Sequence, residues 1–298
     1  MLDLLLKQII SNKPELLGIE DVIEKEILQH DIMTVLHRKD LLRRLTFIGG
    51  TSLRLCYQSN RLSEDLDFTA GSDFTADQFL GLGDEIKKHL EKKYGLNVSV
   101  YEPKKSLTDT TTWKITIEKH RNRPDLPSQK MHIDICSLPS FEIEHRPIID
   151  HYAIGSSMAG LPIPVQSMSE ILADKMVAFA FRERRIKPRD VWDIVWLKQQ
   201  SIDQNPELVI KKLVARKKST DDFLAKINQH ALMVRSNADT KKDFYDELSR
   251  FLPRDVSKRT LHEENFWKYL TTVIEKEVKT LSDAINNSEI KKNQDFKM

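Results

Sequence analysis

The sequence predicts an α+β fold, a mixed sheet followed by a helical C-terminal half, and three observations carry that prediction. Short β-branched or alternating runs, Phe47–Ile48, Val98–Tyr101, Thr112–Glu118 and Met131–Cys136, are interleaved with helical segments in the first half. The period then changes, and from Ser167 onward every periodic segment is helical. Finally, a strand–turn–helix–strand unit around Gly49-Gly50 places two aspartates, Asp65 and Asp67, one residue apart.

Taken in order, Gly18 to about Arg38 reads as an amphipathic helix with Ile19, Ile23 and Ile27 on one stripe. A short helical segment, Lys39 to Leu45, leads into the strand Phe47-Ile48 and the glycine turn. After Phe68, Thr69 to Ala76 reads as a loop and Asp77 to Lys93 as a helix burying Phe79, Ile86 and Leu90, with Gly95 as its stop. The three strands that follow enclose a basic turn, Lys119 to Pro124. Ser137 to Pro164 is a connection or a small strand pair. Ser167-Met168-Ser169-Glu170 is a capping box that opens a helix, Ile171 to about Arg185, and Pro188 suits the first position of the next. Further helices are expected near Glu207–Arg216, Asp221–Val234, Lys241–Phe251 and His262–Leu281, before a polar end. The organisation expected is a sheet domain with N-terminal helices over residues 1–165 and a helical domain over residues 166–298 that completes the active site and binds RNA.

Composition narrows the function. A hydrophobic fraction of 40% and a charged fraction of 31% describe a globular chain rather than a disordered one. The net charge of +2 leaves nucleic-acid attraction to local patches. Basic pairs recur in the C-terminal half, Lys211-Lys212, Arg216-Lys217-Lys218 and Lys241-Lys242 among them, and would form an RNA surface if they align in space. Cys56 and Cys136 are the only cysteines and show no ligand spacing, which argues against structural zinc and suits a reducing cytoplasm. No run is long enough to span a bilayer.

The chemistry concentrates at the glycine turn. Asp65 and Asp67 on one strand face would stand roughly 6–7 Å apart, an arrangement that a divalent cation stabilises because like charges raise each other's pKa. Gly49 and Gly50 let backbone approach an anion at a helix start. Asp134, an acid within the apolar strand Met131–Cys136, is the candidate third carboxylate; a solvent-facing edge position is the alternative. Lys175 lies on an apolar helix stripe and either snorkels to the surface or presents a point charge to phosphate. Asp190 and Asp193, three apart, share a helix face, while Trp192 and Trp196 read as core.

With Gly49-Gly50-Thr51-Ser52-Leu53-Arg54, Arg61-x-Ser63-Glu64-Asp65-x-Asp67 and Lys175 followed by Lys187-Pro188-Arg189-Asp190-x-x-Asp193, the chain resembles the AbiEii/AbiGii toxin family of nucleotidyltransferases, a branch of the DNA polymerase β-like superfamily. The resemblance covers about residues 20 to 200. It implies a polymerase β-like mixed-sheet domain followed by helices, and transfer of a nucleoside monophosphate from an NTP with release of pyrophosphate. It also implies Mg²⁺ or Mn²⁺ as cofactor, the toxin's role in a toxin–antitoxin or phage-defence pair with a cognate antitoxin, and an RNA acceptor, since some related toxins modify the 3′ end of tRNA. By position, Gly49, Gly50, Thr51 and Ser52 would hold the triphosphate, with Arg61, Ser63, Arg189 and Asp190 as further nucleotide contacts. Asp65 and Asp67 would ligate the metals, joined by Asp134 on its strand context; Lys175 would contact phosphate and Asp193 complete the later motif. Two other readings share parts of this pattern: a small-molecule nucleotidyltransferase of the antibiotic-modifying type, and a degenerate nucleotide-binding interaction protein.

Overall fold

Thr46–Ile48 (β1) ends in the glycine turn, and Gly49–Tyr57 (α3) starts at the first glycine. The chain returns antiparallel as Leu66–Thr69 (β2), with Phe47 opposite Phe68 and Ile48 opposite Asp67. These are the centre of a seven-stranded sheet in a computed structural model that describes residues 1–103, 108–119 and 128–295. The other strands are Asn97–Tyr101 (β3), Thr110–Glu118 (β4), Gln129–Cys136 (β5), Ile143–Pro147 (β6) and Pro162–Gln166 (β7), in the order β3-β4-β5-β2-β1-β7-β6. Pairing is parallel for β2 with β5 and for β1 with β7 and antiparallel elsewhere, so the sheet is mixed. Of the expected basic turn, only Lys119 falls within the described residues.

Period-two alternation decides which face is core. Met131, Ile133 and Ile135 of β5, Trp113, Ile115 and Ile117 of β4, and Leu66 and Phe68 of β2 are buried on one face, where Phe47 stacks on Phe68 at 5.1 Å. Leu2–Asn12 (α1), Glu20–Arg38 (α2) and Leu82–Tyr94 (α4) contribute to the same core. His132, Asp134 and Asp67 occupy the alternating positions and are only partly buried.

Three local readings change. The segment read as one helix from Asp77 breaks into a 3₁₀ turn, Ala76–Phe79, and α4, because Gly81 takes φ +81° and the Glu102 carboxylate accepts from the N–H groups of Gly81 and Gly83. Met168–Phe181 (α5) opens with Ser167 Oγ accepting from Glu170 N but stops short of Arg185: Arg182 turns extended and donates to Asp190. Ala238–Leu248 (α9) ends before Phe251, whose side chain is buried in the sheet core and whose carbonyl accepts from Leu62 N.

The chain accordingly forms two compact units, Met1–Gln166 with Arg250–Val256, and Ser167–Ser249 with Ser257–Met298. The second is helical: after α5 come Pro188–Gln199 (α6), Pro206–Ala215 (α7), Thr220–Ser236 (α8), α9, the end of the short Arg254–Lys258 (α10) and Phe266–Asp295 (α11), with α5 packed on α6, α7 and α8. Trp192 and Trp196 are core, each 6% exposed. Lys212 departs from the expected basic surface: it is 1% exposed and ion-paired with Glu170 and Asp174, because α7 turns that position against α5. Among the described residues no helix is long and apolar enough to cross a membrane.

Candidate active site

The strand register sets Asp67 directly beside Asp134 on the parallel pair β2 and β5, and Thr112 of β4 beside Asp134. Paired positions on neighbouring strands point to one face about 4.8 Å apart, so Thr112, Asp134 and Asp67 form a polar row across three strands. Thr112 Oγ1 donates to Asp134 Oδ1 at 2.5 Å, which fixes that carboxylate's orientation. Asp65 lies one residue before β2; its Oδ1 accepts from His132 N at 2.9 Å and is 3.2 Å from His132 Nδ1. Of the three acids expected to converge, two are therefore in register and the third is held by His132. Thr112 and His132 escaped the sequence reading, since neither belongs to the glycine–aspartate motif; the strand alternation that places Asp134 also places His132.

Both glycines are required by their neighbours. Gly49 has φ +76°, and a Cβ there would lie 2.8 Å from Asp67 Oδ2. At Gly50 a Cβ would meet Arg61 Nη2 at 2.3 Å. Arg61 is 2% exposed and its Nη1 donates to Leu62 O at 2.8 Å, so a guanidinium is packed against the start of α3. Thr51 and Ser52 are fully buried, and their hydroxyls are committed within the turn: Thr51 Oγ1 donates to Asp65 O and Ser52 Oγ to Gly49 O. What the turn presents to a phosphate is thus the N-terminal backbone of α3 with the Arg61 charge beside it, rather than the two hydroxyls. The Gly49→Ala variant is expected to lose about 1–3 kcal/mol through its left-handed backbone and the displaced carboxylate, as read from urea unfolding.

Helix α2 braces this turn with polar groups that an amphipathic reading places at the surface. Glu26, fully buried, receives the Arg54 guanidinium at 3.1 Å, and Arg54 Nη1 donates to Ser59 O. Burial pushes the Glu26 carboxyl up, but Arg54 beside it prevails and holds its pKa below the usual range. Gln29 Nε2 donates to Ser63 O and Lys25 pairs with Glu64, so the segment carrying Arg61, Ser63 and Glu64 is tied down along its length.

The later motif lies in the helical unit. Lys175 Nζ is 2.9 Å from Asp190 Oδ1 and 2.8 Å from Asp193 Oδ2, and Arg182 makes a second contact to Asp190 at 3.0 Å. Asp193 is fully buried, and Arg189 pairs with Glu247 at 3.0 Å. Burial raises the Asp190 carboxyl, yet Lys175 and Arg182 outweigh it and bring the pKa down to about 2. A depressed native pKa stabilises the fold above the unfolded value of 3.8 and is lost as pH falls toward 2. Between pH 5 and 2 the wild type should therefore lose stability more steeply than Asp190→Asn, by on the order of 2 kcal/mol in all, in urea melts at each pH.

Whether these residues suit a divalent cation is a question of donors. Among the described residues no three His, Cys, Asp or Glu side chains converge to hold a metal as they stand. Two registered carboxylates nevertheless match a Mg²⁺-type ion, which takes one or two carboxylates and completes its shell with water and substrate phosphate.

The family described as nucleotidyl transferase AbiEii toxin, type IV toxin–antitoxin system, matches residues 31–272. The nucleotidyltransferase toxin MenT4 from Mycobacterium tuberculosis H37Rv has a similar fold, with TM-score 0.57 and 18% identity over 96% of this chain and 99% of that one. A protein assigned as a nucleotidyltransferase from H. pylori is also similar, with TM-score 0.50 and 15% identity over 89% of this chain and 96% of that one. No curated protein matches the chain.

Proposed function

The chain belongs to the AbiEii family of nucleotidyltransferase toxins of type IV toxin–antitoxin systems, and from that premise we propose that it moves a nucleoside monophosphate from an NTP to an RNA acceptor, the 3′ end of tRNA, through Asp67 and Asp134. The observation that supports this most is the register of those two carboxylates beside the Gly49 turn.

In such a transfer an acceptor hydroxyl oxygen bonds to the α-phosphorus, the bond from that phosphorus to the β-bridging oxygen breaks, and pyrophosphate leaves with the electron pair. This chain's residues have three tasks. The N–H groups at the start of α3, with Arg61 packed against them, would hold triphosphate oxygens. Asp67 and Asp134 would hold Mg²⁺ or Mn²⁺, which when bound supplies charge neutralisation at the reacting phosphate. Asp134, fixed by Thr112, would also accept the acceptor's proton. Asp65, engaged by His132, would order the start of β2 and thereby Asp67, joining the metal as a ligand only on release from His132.

The toxin class entails an antitoxin, and we assign a cognate protein that opposes the activity in the cytoplasm. Incubation with α-labelled NTPs and total tRNA in Mg²⁺ should give labelled tRNA, and chelation should stop it. Labelling of an aminoglycoside panel with none of tRNA would overturn the acceptor assignment in favour of a small-molecule transferase.

A further inference from the structure

The first unit carries a second concave region that the chemistry above leaves unused. A cavity of about 430 Å³ lies among α1, α2, α4 and the 154–157 segment, within the size range of small-molecule sites. Its neighbour, of about 170 Å³, shares Arg38 and His89 with it and adds Lys88 and Lys92. Asp67 and Asp134 alternate to the sheet face opposite the apolar one that α2 and α4 help to cover, so these pockets are distinct from the acid row.

Charge in this region is unevenly matched. Lys39 is paired with Glu85 at 3.3 Å and Lys93 with Asp31 at 2.5 Å. Asp31 also receives Tyr94 Oη at 2.5 Å and contacts His89 at 3.3 Å, so its negative charge is already taken up by neighbours. Arg38, Lys88 and Lys92 make no ion pair among the described residues, and all three are exposed at the pockets' rim. Lys88 and Lys92 are i,i+4 on α4, and so project side by side.

The interior of the larger cavity supplies an independent observation. His30 is 3% exposed and lines it; its Nδ1 is 3.0 Å from Ser156 Oγ, while its Nε2 has no hydrogen-bond partner. The ring lines the cavity while Nε2 itself is shut off, so a turn of the ring that brings Nε2 to a ligand's hydroxyl or carbonyl relieves the cost of the unmet nitrogen. Leu5 and Ile27 give the cavity an apolar part, and Thr34 and Ser156 its hydroxyls.

We propose that the two adjoining pockets bind a small phosphorylated molecule, its phosphate on Arg38, Lys88 and Lys92 and its uncharged body in the larger cavity beside His30, Thr34 and Ser156. The planar Arg38 fork and two point charges match a phosphate, and a concave pocket of that size next to them favours a compact ligand over an extended chain.

The test is a titration of the full chain, without metal, first with inorganic phosphate and then with AMP, following histidine side-chain resonances by ¹H–¹⁵N correlation. The His89 signal should shift saturably with phosphate, and His30 should join it with AMP. Charge reversal at the exposed rim, Arg38→Glu with Lys92→Glu, should weaken both by about tenfold or more with an unchanged melting temperature. His132 reports the acid row separately: a shift at His132 alone would overturn the second pocket while leaving the active-site reading intact. An unmoved His89, or one whose shift survives the double reversal, would overturn it too. So would a response to a short oligonucleotide but not to phosphate or AMP, which belongs to a backbone-tracking surface.

Discussion

Replacing Asp67 with alanine is expected to lower labelled nucleotide incorporation by roughly a thousandfold or more, with a melting temperature at or slightly above that of the wild type. The two halves of this expectation have separate causes. Catalysis falls because phosphoryl transfer depends on positioning and neutralisation, and Asp67 is one of only two carboxylates in register on this face among the described residues. Stability holds because Asp67 is partly exposed on the solvent-side positions of β2 and makes no part of the apolar core. With no cation bound, two adjacent carboxylates repel, so deleting one removes an unfavourable interaction. Incorporation at wild-type rate by a folded Asp67→Ala protein would sink the assignment; loss of incorporation together with unfolding would make Asp67 a structural residue.

Much of this site was readable because it is local. Gly49, Gly50, Thr51, Arg61 and Asp67 fall within twenty residues of one another, and strand periodicity orients the acid without knowledge of the sheet. Asp134 was reachable only through its apolar strand context, since its pairing with Asp67 is a parallel register across distant segments, which no spacing rule reports. Helix α2 misled for a different reason. Its isoleucine stripe was evident, yet Glu26, Gln29, His30, Asp31 and Thr34 are buried as well, because the helix is covered on its polar side by Arg54, the 59–64 segment, α4 and the 154–157 loop. A polar helix face reads as solvated until its partners are known. The same limit applies to Lys212, whose partners Glu170 and Asp174 lie about forty residues upstream. Thr51 and Ser52 show a finer limit: the motif places them correctly at the helix start, but side-chain hydroxyls there bond backbone as readily as ligand.

Lys175 is where stability and chemistry make opposite predictions, and the structure favours a large stability effect. Its side chain is 13% exposed, and its ammonium contacts Asp190 and the fully buried Asp193. Removing the cation from a buried pair leaves desolvated negative charge, a loss of about 3–5 kcal/mol. Lys175→Met retains most of the side chain's apolar bulk, so packing changes contribute little to the measured difference. Asp190 retains Arg182, while the fully buried Asp193 loses the Lys175 contact at 2.8 Å. The double variant Lys175→Met with Asp193→Leu should accordingly be more stable than Lys175→Met alone, the coupling that a double-mutant cycle isolates. Urea unfolding of the four proteins measures it. If Lys175→Met unfolds like the wild type and loses only nucleotide transfer, the ion pairs are incidental and the resemblance-based role, a point charge delivered to phosphate, accounts for the residue instead. If stability falls by several kcal/mol and Asp193→Leu restores it, the two acids are what fix Lys175 in place.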